Sequence, residues 1–221
     1  MRIPYASPSH NRPFLELGPD NSAVVLRTLE AGWQVAQRSE TFSIEAGEVE
    51  ITERLRDGMR QALSEGELPW GKQLIVAPGT ESRSQPDILV PDGRTDIPVY
   101  FIEIFTRYGE HDPHAIVECK RISGSDTHLC REYVVEGVDR FKTGKYSLNH
   151  SAGYMAGYVR DGTAAEAADG VNAYLNRTGR IDDSLSTSPI LSGPFWSSSH
   201  LRPEPNQPIE LHHALLSGAA E

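Results

Sequence analysis

The order of helical and strand-like hydrophobic patterns between residues 44 and 177 constrains the fold of this 221-residue chain more than any other feature. Helical spacing of apolar residues comes first, strand-forming runs follow, and helix and strand patterns then alternate. The helical segments are residues 44–65, 129–141 and 163–177, and strand-like runs lie between them, among them residues 95–105, 115–122 and 153–159. We interpret the order as α, three strands, α, β, α. A mixed order with a central hairpin predicts a three-layer α/β domain around one mixed sheet.

The flanking segments differ in composition from this central region. Residues 1–22 are rich in Pro, Ser and Asn, which predicts an N-terminal arm. Residues 23–180 would form the domain. Residues 181–221 would form a β-rich extension packed on the same domain, with strands at 195–201 and 209–216.

Composition excludes several classes of protein. With 38% hydrophobic and 24% charged residues, the chain fits a globular protein rather than a disordered one. No apolar run reaches the ~18–20 residues of a membrane span, so no membrane association is expected. Two cysteines do not make a disulfide framework, which favours a reducing cytoplasm. The net charge of −10 argues against a generally basic nucleic-acid coat, although it leaves room for a local site.

The most informative segment is the apolar run that ends in Glu118-Cys119-Lys120. Because side chains in a strand alternate with a period of two, Glu118 and Lys120 face the same way. A carboxylate there can hold a hard divalent cation, and an ammonium can orient water or stabilise charge on a phosphate. If the preceding loop reverses near Tyr108, Asp96 comes close to this pair. That register would place Tyr100 opposite Glu118, on the same face as Asp96.

This pattern resembles the PD-(D/E)XK nuclease superfamily, which has the restriction-endonuclease-like fold. The matching residues are Pro86-Asp87 or Thr95-Asp96-Ile97, followed by Glu118-Cys119-Lys120. The family order of elements, α-β-β-β-α-β, agrees with the order inferred above for residues 44–159, about half of the chain. The Pro-Asp dipeptide favours Asp87 as the acidic ligand, whereas adjacency across the hairpin favours Asp96. Both alternatives remain open at this point.

The resemblance implies a Mg²⁺-dependent (or Mn²⁺-dependent) phosphodiesterase. Asp96 or Asp87, Glu118 and the backbone carbonyl of Cys119 would bind the metal, and Lys120 would position the attacking water. Family members often add a glutamate from the first helix. The apolar stripe of that helix, extended back by one turn, reaches Glu48, which would then point toward the sheet.

Charge is distributed unevenly along the chain. Residues 118–160 carry seven Lys or Arg against five Asp or Glu, a net charge of +2, whereas both flanking regions are acidic. The net-basic region therefore begins at the Glu118-Cys119-Lys120 strand. Arg121, Lys142 and Lys145 are the candidate phosphate contacts.

Together these features predict a metal-dependent nuclease acting on DNA, with RNA not excluded. The small size and acidic charge suggest that a homodimer or a protein partner supplies specificity. By analogy with the family, a role in bacterial restriction or antiphage defence is expected. Two other hypotheses are a non-catalytic interaction subunit of the same fold and a module that senses a small nucleotide.

Overall fold

The structure is a computed structural model, and it describes residues 15–66, 68–82, 93–108, 112–202 and 207–218. The helices in this part of the chain are α1 (Pro19–Gln37), α2 (Glu48–Ser64), α3 (Ile102–Tyr108), α4 (Thr127–Tyr133), α5 (Asp139–Lys142) and α6 (Ala164–Arg177). A π-helical segment, Val134–Val138, joins α4 to α5. The strands are β1 (Leu74–Val76), β2 (Glu81–Ser82), β3 (Gly93–Arg94), β4 (Ile97–Phe101), β5 (Ala115–Ile122), β6 (Ala152–Val159), β7 (Ser186–Thr187), β8 (Phe195–Leu201) and β9 (Pro208–Ser217).

Seven of these strands form one mixed sheet in the order β1-β4-β5-β6-β9-β8-β7, and β2 pairs separately with β3. The strands β1, β4 and β5 are antiparallel neighbours, and β5, β6 and β9 are parallel. Helices cover both faces. One apolar core lies between the sheet and α1 with α2, and the other lies between the sheet and the α4–α6 side. The predicted three-layer α/β architecture with a mixed sheet agrees with this arrangement.

The N-terminal boundary differs from the prediction. Helix α1 begins at Pro19 and buries one face, so a predicted arm that extends to residue 22 is too long. The buried residues of α1 recur at helical spacing and include Val25, Leu29 and Trp33. The Pro- and Asn-rich start of this helix obscured the pattern, although Pro is well suited to a first helical turn.

Helices α1 and α2 approach each other at two glycines. A Cβ atom added to Gly32 would lie 2.7 Å from the backbone nitrogen of Met59, and one added to Gly58 would collide with the Gly32 carbonyl oxygen. Only hydrogen atoms fit between the two backbones here. This contact fixes α2 against α1, and the predicted stripe of Ile51, Leu55, Met59 and Ala62 is fully buried. The helix begins at Glu48 with Gly47 as N-cap, four residues later than the sequence predicts.

The connection between β4 and β5 also differs from the prediction. We expected a strand over residues 95–105, but β4 ends at Phe101 and α3 begins at the next residue. The two strands are antiparallel as expected, with Ile97 paired to Val117. The predicted register, with Tyr100 opposite Glu118, is wrong by four residues. Continuing the observed register by one residue brings Asp96 opposite Glu118.

The C-terminal region is part of the central sheet rather than an extension on its surface. Strand β9 pairs in parallel with β6 along its length, and β8 pairs with β9. The predicted strands at 195–201 and 209–216 are confirmed within one residue at each end. No helix of the described residues is long and apolar enough to cross a membrane.

Candidate functional site

The candidate site lies where β4 stops pairing with β5. Strand β5 continues beyond Val117 to Ile122, so its backbone N–H groups on that side lose their strand partner. Two carboxylates replace the missing strand. Asp96 accepts a hydrogen bond of 2.8 Å from the Cys119 N–H, and Glu48 accepts one of 3.1 Å from the Arg121 N–H. The end of this strand pair therefore brings a carboxylate from α2 and one from the residue before β4 onto the backbone of β5.

The Glu118 side chain, on the same strand as these N–H groups, is fully buried. Its Oε1 atom accepts from Arg140 Nη1 at 2.6 Å and lies 3.0 Å from Lys120 Nζ. Its Oε2 atom is buried and has no hydrogen-bond partner among the described residues. An unpartnered buried carboxylate oxygen is costly, so this atom marks a place where a ligand would be stabilised.

Lys120 occupies the centre of the acidic group. Its Nζ atom donates to Glu48 Oε1 at 3.0 Å and to the Cys119 carbonyl oxygen at 2.9 Å, and it pairs with Glu118. Since an ammonium has three donors, these three acceptors account for all of them. The sequence-predicted residues Asp96, Glu118, Cys119, Lys120 and Glu48 therefore meet at one place.

The pKa values of two carboxylates in the site, Glu118 and Asp96, are raised in the folded protein. Burial and the charge of the neighbouring Asp96 raise the pKa of Glu118 to about 7, against the lowering effect of Lys120 and Arg140. Burial also raises the pKa of Asp96 and outweighs the hydrogen bond from the Cys119 N–H. The two carboxylates therefore disfavour each other's ionisation, as acidic pairs do when they share a site. Additional positive charge at this place would stabilise both.

Lys120 is an ammonium group at neutral pH. Burial alone would lower its pKa, but the charges of Glu118 and Glu48 and their hydrogen bonds raise the pKa above its ordinary value. An ammonium with a raised pKa is a poor general base. The chemistry available to Lys120 is therefore orientation of a neighbouring group and stabilisation of negative charge.

Sequence reasoning missed the contribution of Arg140. We noted this residue only as part of the net-basic region, yet it reaches Glu118 and also donates to the Tyr146 hydroxyl at 3.2 Å. The Tyr146 hydroxyl in turn donates to the Arg94 carbonyl oxygen at 2.7 Å. Arg140 follows the π-helical segment, a distortion that changes the direction of the side chains after it. Local sequence gives no signal for such a distortion.

The predicted phosphate contacts do not form one surface around this site. The Arg121 backbone is bound to Glu48, and its half-buried side chain follows the site directly in sequence. Lys142 donates to both carboxylate oxygens of Asp183 at 2.8 Å, so its ammonium has a partner within the fold. Lys145 is half-buried after α5. Phosphate binding by these residues stays a prediction. Asp87, the alternative acidic ligand, lies outside the described residues.

A second polar cluster lies farther along the same face of the sheet, where Glu118, Met155 and His213 are lateral neighbours on three adjacent strands. His200 bonds to Asp183 through Nδ1 at 2.9 Å and to the Ser198 hydroxyl through Nε2 at 2.7 Å. The Ser198 hydroxyl also lies 2.8 Å from His213 Nε2, and His213 Nδ1 lies 2.8 Å from the Tyr133 hydroxyl. With Asp183 ionised and both imidazoles neutral, each group donates to the next along the chain from Tyr133 to Asp183. Burial lowers the pKa of both histidines, in agreement with that state.

This cluster contains the residue types of a serine-histidine-aspartate triad but does not suit nucleophilic catalysis. Ser198 is only 5% exposed, and its hydroxyl is bonded to a histidine on each side. A nucleophile must be able to contact its substrate. We therefore assign the cluster to the stability of the β8–β9 side of the sheet.

The residues of the candidate site suit a hard divalent cation in their chemistry. Among the residues that the structure describes, no three His, Cys, Asp or Glu side chains converge as a metal-binding group. The donor set here comprises two carboxylates, Asp96 and Glu118, and the Cys119 carbonyl. Carboxylate and carbonyl oxygens are the ligands that Mg²⁺ prefers. The unpartnered Glu118 Oε2 and the mutual repulsion of the two carboxylates both fit such an ion.

Comparison of the chain with protein-family models, with curated proteins and with solved structures finds no match. The geometry and chemistry of the site itself therefore indicate the function.

Proposed function

We propose that this protein is a metal-dependent nuclease that hydrolyses phosphodiester bonds in DNA and has a restriction-endonuclease-like core. The single observation that carries the proposal is the convergence of Asp96, Glu118 and Lys120 where β4 and β5 part, with Glu118 Oε2 buried and unpartnered. The strand order β1-β4-β5-β6 supports the proposed core, because an antiparallel meander followed by a parallel crossover agrees with the family order.

In this proposal, the residues have separate roles. Asp96, Glu118 and the Cys119 carbonyl would hold a Mg²⁺ or Mn²⁺ ion. When bound, such an ion supplies positive charge to the phosphate and acidifies water. Lys120 orients the attacking water and stabilises negative charge. Glu48 holds the Lys120 ammonium in position, and Arg140 orients the Glu118 carboxylate.

The first test compares cleavage and metal binding. We expect the wild-type protein to cleave DNA in Mg²⁺ and the folded variants Glu118→Gln and Lys120→Met to lose at least 100-fold of that activity. Glu103→Gln is the matched control, because Glu103 is exposed on α3. Mg²⁺ at 100 times its dissociation constant should add about 2.7 kcal/mol to the unfolding free energy of the wild type and none to that of Glu118→Gln. Retained cleavage in both site variants would refute the proposal.

A second candidate function is a non-catalytic interaction subunit. The observation that favours it is that all three donors of Lys120 are satisfied by local acceptors, as in a structural ion-pair network. Calorimetric titration separates the two functions, because a structural network predicts no binding of Mg²⁺ or Mn²⁺. The same titration on Asp96→Asn and Asp87→Asn would identify the acidic ligand. A role in bacterial restriction or antiphage defence, dependence on a dimer or protein partner, and a cytoplasmic location stay predictions.

A further inference from the structure

A cleft of about 160 Å³ opens directly beside the candidate site. The N-terminal half of α2 forms one wall, and Gly79 and residues 94–96 form the other. Glu48 and Asp96 belong to both the cleft and the site. A group that occupies the cleft would therefore lie next to the carboxylates of the site.

The cationic side chains that line this cleft belong to two arginines, Arg56 and Arg94. The Arg56 side chain is 9% exposed, and its Nε atom is buried without a hydrogen-bond partner. Its other contact is an ion pair with Glu53 on the same helix. Arg94 is exposed to solvent and lies on the opposite wall of the cleft. Both arginines line the cleft, which therefore presents two guanidinium groups next to the carboxylates of the site.

The carboxylates around the cleft, in contrast, already have partners. Glu48 accepts from Lys120 and the Arg121 N–H, and Asp96 accepts from the Cys119 N–H.

The two guanidinium groups of the cleft repel each other. Burial lowers the pKa of Arg56, and the charges of Arg60 and Arg94 lower it further. An anionic ligand between the two guanidinium groups would relieve this repulsion and accept hydrogen bonds from their accessible N–H groups.

The size of the cleft restricts the ligand. Pockets that enclose a whole small molecule measure about 300–1,000 Å³, so a cleft of about 160 Å³ is too small for a complete nucleotide. It can hold one phosphate group of a longer strand. The cleft is open to solvent, so the rest of a strand can extend away from it on either side of that phosphate.

We propose that Arg56 and Arg94 form a subsite for a non-scissile phosphate of the DNA strand. This phosphate would lie next to the scissile phosphodiester, which is bound beside Asp96 and Glu118. This inference rests on the proposed function. The two arginines are positioning residues: they fix the register of the strand relative to the carboxylates and Lys120. Bidentate contacts of guanidinium with phosphate supply the binding energy and the geometry.

The experiment measures binding and cleavage of a fluorescein-labelled 20-nucleotide DNA by wild-type protein and by Arg94→Ala. Binding is measured in Ca²⁺ and cleavage in Mg²⁺. We expect Arg94→Ala to raise KM and Kd about 10-fold and to change kcat less than 3-fold. The slope of log Kd against log salt concentration should become shallower by about 0.7–0.9, because one phosphate contact is lost. Arg94→Lys should restore part of the affinity. Arg107→Ala, on exposed α3, is the matched control.

A chemical substitution in the DNA supplies an independent readout. Neutral methylphosphonates replace single phosphates, one position at a time, around the cleavage site. At one position the neutral group should weaken binding by the wild type about 10-fold and should cause no further loss in Arg94→Ala. A merely structural arginine would leave the two losses additive.

The outcomes separate this inference from the proposed function. If the wild type cleaves DNA but Arg94→Ala matches Arg107→Ala in KM and salt slope, the subsite is refuted and the nuclease remains. If the wild type neither binds nor cleaves DNA, the proposed function fails, and this inference fails with it. Arg94→Ala is expected to fold, because the Arg94 side chain is exposed; its thermal melting curve verifies this.

Discussion

The buried carboxylate of Glu118 should make the protein less stable as the pH rises. Its pKa is about 7 in the folded state, against 4.5 in the unfolded chain. The folded state therefore binds more protons between these values, and the free energy of unfolding falls as the pH rises through this window. A difference of 2.5 pH units corresponds to about 3 kcal/mol at pH values well above 7. The substitution Glu118→Gln removes the titrating group and keeps the shape of the protonated side chain.

The assay is urea denaturation of wild-type protein and Glu118→Gln from pH 5 to pH 9 in EDTA. Other groups titrate in the same range, including buried histidines, so the difference between the two proteins isolates Glu118. We expect similar stabilities at pH 5 and a wild type that is less stable by about 3 kcal/mol at pH 9. Glu103→Gln, on the exposed face of α3, should follow the wild type at every pH.

One outcome of the denaturation assay would contradict this prediction. If the wild type is as stable as Glu118→Gln at pH 9, or more stable, the ion pairs of Glu118 with Lys120 and Arg140 outweigh its burial. Burial of Glu118 would then not raise its pKa in the folded state above the value in the unfolded chain. The acidic site would be stable without a cation, and the argument that a bound ion relieves repulsion there would lose its basis.

Three further predictions test other contacts of the fold. Arg140→Met removes a positive charge from Glu118, so the pKa of Glu118 should rise above about 7 and the stability difference should move to higher pH; an unchanged midpoint would count against the contact. Asp183→Asn breaks the buried ion-pair cluster and should lower the unfolding free energy by about 3 kcal/mol in denaturation while DNA cleavage per folded molecule stays unchanged. Gly58→Ala should destabilise by about 2 kcal/mol because of the helix contact, whereas Gly47→Ala, in open space, should cost less than about 1 kcal/mol; equal losses would show that the contact adapts.

Sequence reasoning succeeded where the hydrophobic pattern was regular. Strand β5 was predicted at residues 115–122 and lies there, because its inward-facing side chains alternate over two buried faces. The position of Glu48 was predicted by extending the stripe of α2, and its contact with Lys120 confirms the placement. Its role in catalysis stays a prediction.

Local patterns failed where a segment could adopt more than one structure. Residues 102–108 contain β-branched and aromatic residues that favour a strand, yet they form α3. Intrinsic preference is weak, and the path that the chain must take between β4 and β5 decides the outcome. The predicted register of these strands was wrong for the same reason, since the length of the connection was misjudged.

The mixed α/β layering and the common orientation of Glu118 and Lys120 follow from the sequence alone, because both depend on side-chain periodicity within single elements. The sequence left Asp87 and Asp96 as alternatives, and only the packed molecule reveals the register that brings Asp96 opposite Glu118. Tertiary packing likewise places Arg140 in this site, pairs Lys142 with Asp183 and forms a cleft with two arginines beside the carboxylates. These contacts connect residues from distant segments, and their geometry depends on helix packing and on a π-helical distortion. Burial, which sets the pKa of Glu118, is likewise a property of the packed molecule and not of any local stretch of sequence.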